Sequence, residues 1–175
     1  MTTFLLWARY NQTMNNRLYK ACVRLQPGQF TEERGAFFGS VCRTLNHILI
    51  ADTYWLSRFA DDKSVALLLD GLGKPVKITA ADQIVYEDLA GLTAWRKRID
   101  KQIIRCVEAL ETSGTGVSSL MTHRMADGTT TEFTVNKALS HWFNHQTHHR
   151  GQVTTLLTQM GVDVGVTDLL LMDLG

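Results

Sequence analysis

Four of the six histidines in this 175-residue chain fall within nine residues: His141, His145, His148 and His149. At about 100° per residue on a helix, they lie within about 100° of one another. Ala138, Gln152 and Leu156 share that stripe, whereas Leu139, Phe143 and Leu157 point elsewhere. His145 and His149 are four residues apart, which stands one imidazole above the other with Cβ atoms about 5–6 Å apart. Such a pair can converge on one cation through metal–nitrogen bonds of about 2.0–2.1 Å. A third ligand must come from another helix. His47 is the single histidine of the second expected helix and is the candidate. Three histidines leave coordination positions open for water or substrate, as a chemical rather than a structural metal site requires.

Each of these residues also has a plainer reading. Two helical histidines four apart often form a solvated face. His47 alone reads as a partly buried histidine with a hydrogen-bond partner. It lies well off the Leu45–Leu49–Leu56 arc, nearer Ser40, Thr44, Ala51 and Tyr54. His123 reads as a surface residue of a hairpin. Other signatures are missing. His145-Gln146-Thr147-His148 lacks the glutamate of H-E-x-x-H, the metalloprotease base. The last helix has only Glu132 beside its start, so the paired E-x-x-H motifs of di-iron bundles are absent. There is no Walker loop and no convincing G-x-G-x-x-G loop.

The elements that must position these residues follow from apolar spacing. Leu6, Tyr10, Met14, Leu18, Ala21 and Leu25 make one stripe of a helix over about Thr3–Leu25, ended by Gln26-Pro27-Gly28. A second helix is expected from Thr31, as N-cap with Glu32 and Glu33 behind it, to about Ala60. Its apolar arc runs through Phe38, Val41, Leu45, Ile48, Leu49, Asp52, Trp55, Leu56 and Phe59. Residues 61–80 read as a long loop with a short apolar turn at Val65–Leu69. A third helix is expected over about Asp82–Leu110, with an apolar spacing near 3.5 that suits the seam of an antiparallel bundle. Ser113-Gly114-Thr115-Gly116 breaks the pattern. Ser119–Met125 and Thr129–Phe133, around Ala126-Asp127-Gly128, read as a hairpin. The fourth helix is expected over about Val135–Met160, closed by Gly161. The tail, with its apolar run Leu169–Met172, is expected to dock on the bundle. The fold expected is all-α: an antiparallel four-helix bundle with a small hairpin before the last helix.

Composition narrows the function. Hydrophobic residues are 45%, charged residues 20%, and the net charge is +1. That balance is ordinary for one globular domain and offers no basic excess for a nucleic acid. Cys22, Cys42 and Cys106 are odd in number and form no C-x-x-C pair, which predicts reduced thiols in a cytoplasmic protein. The first residues lack the basic and apolar regions of a signal peptide. No apolar stretch reaches the ~18 residues that span a bilayer.

The stretch His141-Trp142-Phe143-Asn144-His145-Gln146-Thr147-His148-His149-Arg150-Gly151-Gln152 closely resembles the last-helix signature of the DinB family, the DinB/YfiT-like metalloenzymes. Thr44-Leu45-Asn46-His47-Ile48 and Ala51-Asp52 through Trp55-Leu56 resemble that family's first-ligand helix. Tyr10-Asn11 and Asn16-Arg17-Leu18-Tyr19 add a weaker match. The resemblance covers nearly the whole chain and implies a single DinB-like domain over 1–175. It implies a divalent metal, whether zinc, nickel, iron or manganese, held by His47, His145 and His149. His148 and His141 then become pocket residues or proton shuttles, and Arg150 a structural partner. Some members of the family are thiol transferases or isomerases that use a low-molecular-weight thiol.

The expectation is therefore a metal-dependent thiol S-transferase, isomerase or hydrolase acting on a small molecule. The alternative is a noncatalytic metal- or small-ligand-binding protein associated with stress. Nucleic acid and membrane are not expected partners. A homodimer is expected, because family members often pair through bundle helices.

Overall fold

The computed structural model describes residues 2–60, 62–112, 118–124 and 128–174. Its helices are α1 (Thr3–Cys22), α2 (Val41–Phe59), α3 (Leu89–Thr112) and α4 (Val135–Gln159). Strands β1 (Leu120–Arg124) and β2 (Thr130–Thr134) pair antiparallel just before α4. Single turns of 3₁₀ helix lie at Lys63–Ala66 and Leu169–Leu171. This is the expected four-helix bundle with its small hairpin.

In the main contacts α1 packs on α3 and α4, and α2 packs on the same two helices. Asn15 meets Asp100 and Thr2 meets Glu111, so α1 and α3 run antiparallel. His47 meets His145 and Phe59 meets Trp142, so α2 and α4 do too. Asn46 meets the Tyr86 backbone and Asp52 meets Arg96, so α2 and α3 run parallel. Parallel neighbours need a connection as long as the bundle. Residues 60–88 supply it, including the expected apolar turn.

Three helix ends differ from expectation, each for a local reason. Helix α1 stops at Cys22, before Leu25, and Val23 is already exposed. Helix α2 is capped by Ser40 rather than Thr31. Gly35 and Gly39 both adopt positive φ, at 68° and 81°, which a right-handed helix does not permit. Helix α3 starts at Leu89 rather than Asp82. The buried Asn46 side chain accepts from Val85 N–H at 2.8 Å and Tyr86 N–H at 3.0 Å, and donates to the Tyr86 carbonyl at 2.9 Å. Those bonds hold residues 85–86 out of helical conformation. The Ser40 hydroxyl accepts from Arg43 N–H at 3.2 Å. Ser40→Ala should cost about 1 kcal/mol in a urea melt, whereas Thr31→Ala should cost almost nothing.

The hairpin strands fall within a residue of expectation, and Met121 pairs with Phe133 across them. Met125 of the expected first strand, Ala126 and Asp127 of the expected turn, and the expected break at 113–116 lie outside the described residues. Leu18, Leu45, Leu49, Leu56, Leu92, Ile99, Ile103, Leu139, Trp142 and Leu157 fill the core. Cys22, Cys42 and Cys106 all lie buried. The tail docks through buried Val162 and Val164 and through the Tyr10 hydroxyl, which donates to the Thr167 carbonyl at 2.8 Å. Its apolar run does not follow, for Leu170 and Leu171 stand exposed. Among the described residues no helix is long and apolar enough to cross a membrane.

Candidate metal centre

Helix α2 brings His47 and helix α4 brings His145 and His149 to one point. His47 Nε2 lies 3.1 Å from His145 Nε2, and His149 Nε2 lies 3.1 Å from the same atom. The three candidate ligand atoms are all within 4.8 Å of one another. Two nitrogens bound to one cation at about 2.0–2.1 Å, at tetrahedral to octahedral angles, stand about 2.9–3.4 Å apart. The spacing fits.

The outer nitrogens fix which atoms face inward. His47 Nδ1 lies 2.8 Å from the Ala81 carbonyl, which only accepts, so Nδ1 carries the proton. His149 Nδ1 lies 2.8 Å from Gln152 Oε1, and the Gln152 amide nitrogen faces His148 Nε2 at 3.4 Å. His47 and His149 therefore turn bare Nε2 lone pairs towards His145 Nε2. One N–H on His145 can satisfy only one of them. A divalent cation satisfies all three, and partners on the outer nitrogens are the usual way such ligands are oriented. The His145 Nδ1 atom is buried and has no hydrogen-bond partner among the described residues.

Burial lowers the pKa of all three imidazoles. His145 is held down to about 3, by desolvation first and then by the neighbouring histidines. His47 and His149 are lowered, desolvation outweighing the hydrogen bonds to Ala81 and Gln152. All three are thus neutral at pH 7, the form that binds metal. In the metal-free protein His145 resists protonation that the unfolded chain accepts near pH 6.5. Its contribution to stability is present above that value and is lost as pH falls below it. Metal-free wild type should therefore lose stability relative to metal-free His145→Gln between pH 7 and pH 5, in paired urea melts at each pH.

The other histidines are arranged around this point. His148 is exposed, and its ring meets His149 edge-on at 4.8 Å between centroids. His141 is exposed, with its ring 5.9 Å from that of His145 and 5.4 Å from Trp55. His123 is more than a surface residue. Its Nδ1 lies 2.8 Å from the Tyr54 hydroxyl and its ring stacks on Trp55, tying the hairpin to α2.

Beneath the histidines a buried polar network joins all four helices. Asp52 is fully buried and accepts from Trp142 Nε1 at 2.8 Å, Gln146 Nε2 at 2.7 Å and the Arg96 guanidinium. Arg96 also pairs with Asp100 at 2.8 Å, and Asn15 donates to Asp100 at 3.0 Å. Arg150 donates to Gln146 Oε1 at 3.1 Å and to Thr147 Oγ1 at 3.1 Å, with its guanidinium over the Tyr10 ring. Gln146, between two candidate ligands, is thereby locked at both ends of its amide. This sets the register of α4 against α2 and hence of His145 and His149 against His47.

Several of these roles escape helical spacing. Phe38, read as part of the α2 arc, sits in the loop before it and stacks on His47 at 4.0 Å. Ala81 acts through its backbone carbonyl, which no residue-type pattern reveals. Asp52 stands on an otherwise apolar arc, and that misplaced carboxylate is a signal of a buried partner.

Comparison with known proteins places the chain in a family. A sequence model described as the DinB family matches residues 1–174. "Protein DinB" of Bacillus subtilis (strain 168) is 24% identical over 159 residues, covering 91% of this chain and 87% of that protein. With nearly the whole chain matched by that family's model, this protein belongs to the DinB family.

Proposed function

We propose that this protein holds one divalent metal ion between His47, His145 and His149 and catalyses a metal-dependent thiol S-transfer, isomerisation or hydrolysis on a small molecule. The carrying observation is that two bare Nε2 lone pairs are turned on a third imidazole at 3.1 Å. Zinc, nickel, iron and manganese all suit imidazole donors. When bound, such an ion lowers the pKa of a thiol or water at neutral pH.

The chain's own residues do the rest. The Ala81 carbonyl and Gln152 hold the ligand rings in one tautomer. Phe38 covers His47 and narrows the approach of water. His148 and His141 stand at the exposed edge of the cluster, where an imidazole can carry a proton between the centre and solvent.

The test is turnover of bacillithiol, mycothiol or glutathione with a panel of electrophiles. Metal-stripped protein should lose activity and regain it on reloading. Replacing the shuttle, His148→Ala or His141→Ala, should lower kcat by about 10²-fold while metal content is unchanged. Full turnover by metal-stripped protein would sink the proposal.

A further inference from the structure

His47, Ile50, Ala51, Tyr54 and Ser57 lie within about 120° of one another on α2, opposite the core arc of Leu45, Leu49 and Leu56. This outer stripe faces the connection between α2 and α3. That connection folds into two arms around Asp70–Lys74, joined by a bridge between Leu69 and Pro75 and by Val76 N–H on the Leu68 carbonyl at 2.8 Å. One end is anchored by the buried Ala66 and Leu68, the other by the Ala81 carbonyl on His47.

The arms do not close onto the stripe. A cleft of about 650 Å³ remains between them, with His47 and Ala81 at one end and Lys63 in its lining. Small-molecule sites range over about 300–1,000 Å³. Tyr54, Leu67 and Ile78 line it and remain 41%, 43% and 38% exposed. His47 and Ser57, ten residues apart on α2, set a length of about 15 Å. Among the described residues Lys63 is the single charged side chain in the lining, and its ammonium already donates to the Ala60 carbonyl at 2.7 Å.

From this we infer that the cleft binds an organic molecule with an elongated, uncharged apolar body, its polar head directed at the histidine centre. The walls supply apolar contact along the body, and the shared His47 joins the cleft to the candidate metal site. Only the direction of the head rests on the metal reading; occupancy of the cleft does not.

The experiment uses the full chain, metal-free and metal-loaded, with the neutral apolar dye N-phenyl-1-naphthylamine. Its fluorescence should rise and saturate near one dye per chain, and 1-decanol should displace it. Ile78→Glu, which puts a carboxylate on the wall, should weaken dye binding at least about tenfold. Leu170→Glu, on the exposed tail, should leave binding unchanged. In cobalt-loaded protein the hydroxymethyl protons of bound 1-decanol should broaden more than its terminal methyl. No saturable dye binding, or equal binding by Ile78→Glu, would overturn the inference. So would a dimer that binds no dye and that Ile78→Glu dissociates, since a second copy would then fill the cleft. Stoichiometric metal without dye binding removes the cleft and leaves the metal reading. Dye binding without metal does the reverse, keeping the cleft and removing its assigned direction.

Discussion

Untagged protein, purified without a nickel column, should carry close to one divalent ion per chain, and His145→Ala should carry almost none. His145 is the ligand both others face, at 3.1 Å each, so its loss leaves two nitrogens on separate helices. Its affinity for added zinc or nickel should fall by more than about 100-fold. Gln152→Ala should fall by about 10–100-fold, the usual range for a partner that orients a ligand. His148→Ala should bind as wild type, because His148 approaches the cluster through Gln152 and the edge of His149. Inductively coupled plasma mass spectrometry reads the content, and competition with a chromophoric chelator reads the affinity. If His145→Ala keeps a full equivalent of metal, the three-histidine centre is wrong.

The second large effect lies beneath the site. Asp52→Ala should destabilise the protein by about 3–5 kcal/mol, the cost of stranding one partner of a buried ion pair. The cluster holds two carboxylates, Asp52 and Asp100, and two guanidiniums, Arg96 and Arg150, all buried. Burial pushes the Asp52 carboxyl up, while Arg96 and the Trp142 N–H hold it back. Removing Asp52 leaves Arg96 with one carboxylate and leaves the Trp142 and Gln146 N–H groups unsatisfied. For a chain of this size the loss corresponds to about 6–20 °C in Tm. Asp52→Asn keeps an acceptor for Trp142 and Gln146 and should cost less. Thermal melts followed by circular dichroism on metal-free protein separate these values, and a loss under 1 kcal/mol for Asp52→Ala would show that the network relaxes around the gap.

Both predictions concern residues that the chain displays in different ways. His145 and His149 announce themselves, because two side chains on one helix are placed by 3.6 residues per turn alone. The apolar stripes of α1, α2, α3 and α4 are legible for the same reason, as are the hairpin and the closing Gly161. Within the helices the errors fall at boundaries. Thr31 with Glu32 and Glu33 has the composition of a helix start, yet Gly35 and Gly39 adopt left-handed backbone and postpone α2 to Ser40. Val85 has the spacing of α3, yet Asn46, distant in sequence, claims its N–H. In each case a nonlocal or glycine-specific constraint outweighed propensity, which is worth a few tenths of a kcal/mol per residue.

The local pattern by itself determined the four helices, the hairpin, the stripe of histidines on α4 and the single histidine on α2. Whether those faces meet is a matter of register between helices, and no periodicity within one helix encodes it. The tertiary structure decided that His47, off the core arc, turns its Nε2 to His145. The Asp52–Gln146 and Asp52–Arg96 bonds hold α2 against α4 and α3, and the Ala81 carbonyl sets the ring's tautomer from a loop. It also decided that the long connection stands off the outer face of α2, leaving a cleft at His47. The reason is physical: spacing along a helix follows from covalent geometry, whereas convergence across helices depends on buried polar pairs, which are specific only once both partners are in place.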